Sequence, residues 1–301
     1  MNYISVCSGI EAATAAWHPL GWNPVAFSEI EKFPSAVLAH HYPDAPNLGD
    51  MTKFNEWNTE PIDLLVGGTP CQSFSVAGLR KGLQDPRGNL ALTFLAMVDR
   101  FRPKWVVWEN VPGVLSDKGN AFGQFLAGLG ELRYQYAYRV LDAQHFGVPQ
   151  RRRRVFVVAN SGGVHPAEVL FEPESLCRDL TPSREAREDV AGTVTRRTCR
   201  SLGADDAANG HMIPQASLRL KARQEGGGFE GAVAKGMQVR RLTPTECERL
   251  QGFPDGFTRI PWRGKDQDQC PDGPRYKALG NSMAVPVMRW IGERIQQATK
   301  Q

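Results

Sequence analysis

Strand and helix signals alternate along the first half of the chain, and this alternation constrains the fold most. Short apolar runs at 3–7, 24–28, 62–66 and 104–108 predict buried strands. Helices are predicted between them, at 8–20, 31–41 and 90–101, and the stretches 134–141 and 155–159 are predicted to close the sheet as a pair. This order predicts an α/β fold with a doubly wound, mostly parallel sheet and a ligand crevice at the carboxyl ends of its strands.

A change in composition follows the last predicted strand. Residues 160–237 are rich in Gly, Arg, Pro and Thr and show little periodicity, which indicates irregular backbone. Residues 160–190 have a charge balance of −4, whereas residues 191–240 have one of +4. A basic, glycine-rich module suits a surface that faces DNA; a solvated insertion or a linker is the alternative. We therefore predict a cofactor-binding and catalytic domain (1–159), a small recognition domain (160–274) and a segment that returns to the first domain (275–301).

Composition excludes several classes of protein. A chain of 301 residues with 41% hydrophobic residues buries a full core. Its six cysteines contain no Cys-x-x-Cys pair, so neither a zinc site nor a disulfide framework is expected. We find no signal peptide and no apolar run of the ~20 residues that span a bilayer. These observations predict a monomeric cytoplasmic protein that binds no metal and no membrane and that associates with the nucleoid when bound to DNA.

Three chemically active side chains stand at the borders of apolar strands. Cys71 follows Pro70 after the run 62–66, Glu109 ends the run 105–108, and four arginines (151–154) precede the run 155–159. A cysteine on a rigid turn at the carboxyl end of a strand is a candidate nucleophile. A buried structural cysteine is the alternative for Cys71 on its own.

The order of these motifs resembles that of the cytosine-C5 DNA methyltransferases. The matching segments are Pro70-Cys71-Gln72, Glu109-Asn110-Val111, Gln150-x-Arg152-x-Arg154, Val6-Cys7-Ser8-Gly9-Ile10 and Gly280-Asn281-Ser282. The resemblance covers residues 3–159 and about 238–298. It implies a Rossmann-like fold of the S-adenosylmethionine-dependent methyltransferase type, with S-adenosyl-L-methionine as cofactor and double-stranded DNA as substrate.

The resemblance also implies the roles of the catalytic residues. Cys71 adds to carbon 6 of cytosine, which makes carbon 5 nucleophilic, and Glu109 acts at ring N3. Arg154 supports O2, and Arg152 belongs to the same cationic clamp. We expect burial to raise the pKa of Glu109, because this role requires its proton. The base must leave the DNA helix to reach such a site. The alternatives are an RNA cytosine methyltransferase on the same scaffold and an inactive DNA-binding module.

Further residues are assigned to the cofactor and to DNA by the same resemblance. Glu11 stands where the family usually has glycine, and it is expected either to face the cofactor's cationic group or only to cap a helix. The expected cofactor residues are Ser8, Gly9, Ile10, Glu11, Glu29, Ile30, Asp50, Met51, Pro70, Asn281 and Ser282. The expected DNA-binding residues are Gln72, Ser73, Arg80, Arg151, Arg153, Arg196, Arg197, Arg219 and Arg223.

Overall fold

The computed structural model describes residues 1–69, 89–171, 212–214, 232–235 and 238–300. The chain divides into two compact units. The first comprises Met1–Leu141, Arg153–Asp179 and Met288–Gln301, and the second comprises Asp142–Arg152 and Leu180–Val287. The predicted domain limits, which differ from these units, stay a prediction.

A six-stranded sheet forms the centre of the first unit, in the order β2-β1-β3-β4-β6-β5. The β2-β1-β3-β4 neighbours are parallel, and β4 pairs antiparallel with β6. The predicted doubly wound, mostly parallel sheet is therefore confirmed. Its strands are β1 (Asn2–Val6), β2 (Asn23–Ser28), β3 (Leu64–Gly67), β4 (Trp105–Asn110), β5 (Gln135–Asp142) and β6 (Arg153–Asn160).

Helices cover this sheet. The helices are α1 (Ala12–Trp17), α2 (Lys32–His41), α3 (Leu90–Phe101), α4 (Ala121–Glu131) and α5 (Ala167–Leu170). Asn89 begins α3 because its side chain accepts the N–H groups of Ala91 and Leu92. Trp108 of β4 stacks on Phe125 of α4 at 4.3 Å. The central strands are buried on both faces, which is why they appear in the sequence as continuous apolar runs.

Gly67 allows two central strands to approach closely. It pairs with Val6, and a Cβ atom at this position would lie 2.6 Å from Val6 Cγ2 and 2.7 Å from Val6 O. Strand β3 therefore extends one residue beyond the predicted strand 62–66, to Gly67. The absent side chain keeps β1 and β3 in register up to the edge where the predicted site residues lie.

The second unit contains regular structure that the sequence did not indicate. Three short strands form a sheet, β7 (Met212–Pro214), β8 (Ala232–Lys235) and β9 (Gln238–Arg241). Strands of three or four residues are too short to show a period. Helices α6 (Pro244–Gln251) and α7 (Asp272–Asn281) follow, and the last helix, α8 (Val285–Thr299), belongs mostly to the first unit. At the start of α6, Thr243 and Glu246 form a capping box and Pro244 occupies the first helical position.

Candidate active site

Parallel pairing brings the predicted site segments of the first unit to one edge of the sheet. Strands β1, β2, β3 and β4 run in the same direction, so the residues that follow them lie at neighbouring carboxyl ends. Ser8 and Gly9 follow β1, Glu29 and Ile30 follow β2, and Thr69 follows β3, whereas Glu109 is the last residue but one of β4. In open α/β sheets this edge forms the ligand crevice.

The turn after β1 differs from the predicted helix start. Helix α1 begins at Ala12 rather than at Ser8, and the N–H groups of Ser8 and Gly9 are both bonded. Ser8 N donates to Ser28 O at 3.2 Å, and Gly9 N donates to Glu29 Oε2 at 2.8 Å. Tertiary bonds to β2 and to the residue after it thus hold the chain in an open turn, where the sequence suggested a helix. Gly9 has a φ of 57°, and no atom lies within 4 Å of the position that a Cβ would occupy.

Glu11 caps helix α1 from inside the protein. Its φ of 65° is left-handed, a conformation that glycine adopts easily. Its Oε1 accepts from Thr14 N at 3.0 Å and from Thr14 Oγ1 at 3.1 Å, and the side chain is 1% exposed. Burial raises the pKa of Glu11 to about 7. The helix-capping role is thus present in the structure, whereas contact with a cofactor stays a prediction.

Exposed side chains beside this turn have the chemistry of a nucleoside site. Ile30 is 73% exposed, which is unusual for an isoleucine that follows a buried strand. The Glu29 carboxylate accepts from Gly9 N and from Glu31 N at 2.7 Å, and Asp50, also exposed, accepts from Thr52 N at 2.9 Å. An exposed apolar side chain next to a carboxylate, Ile30 after Glu29, fits an adenine and its ribose hydroxyl groups. Ile10 and Met51, by contrast, are buried.

Glu109 and Arg154 form an ion pair. Strands β4 and β6 are antiparallel, with Glu109 opposite Phe156 and Asn110 opposite Val155. This register places the guanidinium of Arg154 beside the carboxylate of Glu109, with 3.0 Å between Nε and Oε1. Both side chains are largely buried, at 14% and 13% exposed. The fold therefore unites an acid and a cation that are 45 positions apart in the chain.

Two side chains of β4 anchor the chain just before the predicted nucleophile. Asn110 Nδ2 donates to Thr69 O at 2.9 Å, and Trp108 Nε1 donates to Thr69 Oγ1 at 2.9 Å. Thr69 O belongs to the peptide bond with Pro70. No role was predicted for Asn110, Trp108 or Thr69; the adjacency of Asn110 to Glu109 was the available signal. The predicted residues Pro70, Cys71, Gln72, Ser73 and Arg80 lie outside the described residues.

The arginine run alternates between surface and interior. Arg151 and Arg153 are exposed, whereas Arg152 is 3% exposed. The guanidinium of Arg152 donates to Ser282 O at 2.5 Å and to Gly280 O at 3.4 Å. Arg152 thus contacts the Gly-Asn-Ser turn within the second unit, and Arg154 contacts Glu109 within the first. In that turn Asn281 is exposed, whereas Ser282 is buried and its hydroxyl donates to Met283 O at 3.1 Å.

Other predictions fall on residues without a described position. Arg196, Arg197, Arg219 and Arg223 lie outside the described residues, so their DNA contacts stay predictions. Within the described part of the chain, no group of three His, Cys, Asp or Glu side chains is arranged to bind a metal ion. In that same part, every helix is too short or too polar to cross a membrane.

The chain is similar to DNA methyltransferases over nearly its whole length. The family described as C-5 cytosine-specific DNA methylase matches residues 1–173 and 175–297. The DNA N-6-adenine-methyltransferase of Escherichia phage P1 is 36% identical over 460 residues, and the alignment covers 98% of this chain and 61% of that longer protein. Type II methyltransferase M.SsoII of Shigella sonnei is 32% identical over 317 residues, covering 97% of this chain and 79% of the relative. The crystal structure of a Spodoptera frugiperda DNMT2 mutant shares the fold, with a TM-score of 0.62, 18% identity and 99% of each chain covered.

Proposed function

The chain belongs to the family of C-5 cytosine-specific DNA methylases and is a DNA cytosine-5-methyltransferase, and we propose that it methylates cytosines of a defined sequence in double-stranded DNA through a covalent adduct. The observation that carries this mechanism is the Glu109–Arg154 pair. It lies at the edge of the sheet where Asn110 anchors Thr69, two residues before Cys71. An acid, a cation and the start of the nucleophile's segment thus come together at one strand end.

The cofactor proposal rests on the turn after β1 and on its neighbours. The family and the fold imply S-adenosyl-L-methionine, which supplies an electrophilic methyl group when bound. We assign its methionine part to the Ser8–Gly9 turn, its ribose to Glu29, and its adenine to Ile30 and Asp50. The exposed surface of Ile30 and the adjacent carboxylates support this assignment.

The nucleophilic step is assigned to Cys71. Its thiolate adds to carbon 6 of the cytosine, and the electron pair of the 5,6 double bond then makes carbon 5 reactive toward the methyl group. Loss of the proton from carbon 5 and departure of the thiolate restore the double bond. Cys7, which lies at the same edge, is not suited to this role, because burial raises the pKa of its thiol to about 12. Its Sγ instead contacts Met51 Sδ at 3.7 Å.

Glu109 and Arg154 act on the other side of the ring in this mechanism. Glu109 gives a proton or a hydrogen bond to N3, and Arg154 donates to O2, which together stabilise the charge that the thiolate adds to the ring. A guanidinium at 3.0 Å favours the ionised carboxylate. Proton uptake by Glu109 therefore requires Arg154 to turn from the carboxylate toward O2 when the base enters.

The target cytosine must leave the DNA helix to reach these groups, because a stacked base exposes neither face of carbon 6 to a protein thiol. We assign recognition of the target DNA sequence to the segment 160–237, whose later part is basic.

The Type II relatives support a role as the methylating partner of a restriction endonuclease, and the phage relative supports a role in a phage-derived system.

Product analysis tests this function directly. The full chain is expressed in a methylation-deficient host, and its DNA is analysed by nucleoside mass spectrometry and by bisulfite sequencing. We expect 5-methylcytosine at one recurring sequence, and none with the Cys71→Ser variant. N6-methyladenine in its place, the product that the name of the phage P1 relative would suggest, would overturn the proposal. Methylcytosine confined to RNA, or DNA binding without any product, would favour the RNA enzyme or the inactive module.

A further inference from the structure

A short segment after helix α2 pairs with the open edge of strand β2. Strand β2 lies at the end of the sheet, so one of its sides has no neighbouring strand there. Phe27 pairs in parallel with Asn47, since Phe27 N donates to Pro46 O at 2.9 Å and Leu48 N donates to Phe27 O at 2.8 Å. This pairing ends beside Glu29, the first residue after β2.

The side chain of Asn47 continues the pairing beyond that point. Its Oδ1 accepts from Glu29 N at 3.0 Å, and its Nδ2 donates to Glu29 O at 3.0 Å. The amide thus binds the N–H and the C=O of Glu29 together, as a residue of a neighbouring strand would. Oδ1 also accepts from Gly49 N at 3.1 Å, and Nδ2 also donates to Ser35 Oγ at 3.1 Å.

These four bonds use the full hydrogen-bonding capacity of the Asn47 amide. A side-chain amide has two N–H groups to donate and two acceptor positions on its oxygen. Asn47 is exposed, but all of these groups bind the chain itself. The side chain is therefore suited to hold its neighbours in place rather than to bind a ligand.

Glu29 is held at its carboxylate as well as at its backbone. Gly9 N donates to Oε2 at 2.8 Å, and Glu31 N donates to Oε1 at 2.7 Å. Each carboxylate oxygen has a second lone pair beyond the one that these bonds use. Two fixed acceptors match two adjacent hydroxyl groups of a ribose, and acceptors fixed before a ligand arrives reduce the entropy lost on binding.

We propose that Asn47 is a positioning residue, which fixes the Glu29 carboxylate for the ribose hydroxyl groups of S-adenosyl-L-methionine without touching the cofactor. This inference rests on the proposed function, which assigns the ribose to Glu29. It adds a residue for which the sequence gave no signal, because the bonds join segments 18 positions apart. All of the residues in this arrangement belong to the first unit.

Two ligands that differ only in the ribose test the proposal in the full chain. The probes are S-adenosyl-L-homocysteine and its 2′,3′-dideoxy analogue, titrated calorimetrically. We expect Asn47→Ala to raise Kd for S-adenosyl-L-homocysteine about tenfold, the effect of one hydrogen bond. Kd for the dideoxy analogue should stay within about twofold, because that ligand has no hydroxyl groups for Glu29. An equal rise for both ligands, or no rise for either, would overturn the proposal.

Two further variants exclude a general loss of structure. Asn55→Ala is the matched control, because Asn55 is also exposed and its Oδ1 accepts from Arg100 Nη1 at 3.1 Å, away from Glu29. It should leave both Kd values unchanged. Asn47→Asp keeps the oxygen that accepts from Glu29 N and Gly49 N but cannot donate to Glu29 O. Its ratio of the two Kd values should shift in the same direction as that of Asn47→Ala, and the added charge cancels in the ratio. An unchanged ratio would contradict the proposal.

Steady-state kinetics separate positioning from catalysis. In Asn47→Ala, KM for S-adenosyl-L-methionine should rise about tenfold while kcat at saturating cofactor stays within about twofold, because the groups that act on the base are unchanged. A large fall in kcat would contradict this role. If the wild type methylates DNA and prefers the ligand with hydroxyl groups but Asn47→Ala keeps that preference, only this inference fails. If the wild type binds neither ligand and yields no methylcytosine, the proposed function fails with it.

Discussion

Replacing Glu11 with glutamine should change how the stability of the protein depends on pH. Glu11 is buried, and its pKa rises from 4.5 to about 7 on folding. Between about pH 4.5 and pH 7, Glu11 therefore keeps a proton in the folded protein that it has lost in the unfolded chain. Stability from this residue is complete below about pH 4.5, falls as the pH rises to about 7, and is level above that.

The size of the effect follows from the two pKa values. At 1.36 kcal/mol for each pH unit, a rise from 4.5 to about 7 corresponds to about 3 kcal/mol of unfolding free energy. Glu11→Gln retains an oxygen to accept from Thr14 N–H but cannot ionise. The variant should therefore lack this fall, so that its stability relative to wild type increases by about 3 kcal/mol between pH 4 and pH 8.

Urea unfolding followed by tryptophan fluorescence at pH 4, 6 and 8 measures this difference. Comparing the two proteins cancels the titration of all other groups. Glu56→Gln, at an exposed glutamate, is the control, and it should follow the wild type at each pH. If the difference between Glu11→Gln and wild type is the same at pH 4 and pH 8, the folded carboxyl does not hold a proton and the reasoning is wrong.

Three further predictions concern the reaction and its specificity. Glu109→Gln should keep the fold and lower kcat by at least ~100-fold, measured with tritiated cofactor, because the amide is a far weaker acid; a rate near that of wild type would remove Glu109 from the mechanism. Asn110→Ala should slow turnover about tenfold without changing cofactor affinity, because Thr69 O loses its donor. Asn160→Ala, at the opposite end of the neighbouring strand, is its control and should retain normal kcat. Grafting residues 160–237 into a related methyltransferase should transfer the methylated sequence, read by bisulfite sequencing; an active chimera that keeps the host's pattern would contradict this.

The sequence predicted the sheet well, because its central strands are buried on both faces. Each strand from β1 to β4 corresponds to an apolar run in the sequence. The antiparallel partner of β4 was also identified as part of the sheet. Short apolar runs were therefore sufficient to predict the architecture of the sheet.

The structural features that the sequence did not predict depend on contacts between residues that are distant in the chain. Helix α1 begins at Ala12 because Glu29 and Ser28 bind the N–H groups of the preceding turn. The sequence showed a row of four arginines but not that Arg152 would meet Ser282, 130 positions away. Likewise, no local pattern shows that Asn110 reaches Thr69 across 41 positions. Such bonds arise only when strands and helices have packed.

Trapping the covalent adduct tests the central claim most directly. Duplex DNA that carries 5-fluorocytosine at the target site cannot lose its substituent from carbon 5, so a thiolate bound at carbon 6 stays attached. With S-adenosyl-L-methionine present, the wild-type chain should form a complex that resists denaturation, and peptide mapping should place the modified base on Cys71. Cys71→Ser should bind the cofactor normally and form no such complex. An adduct that forms equally with Cys71→Ser, or that maps to another cysteine, would contradict the mechanism.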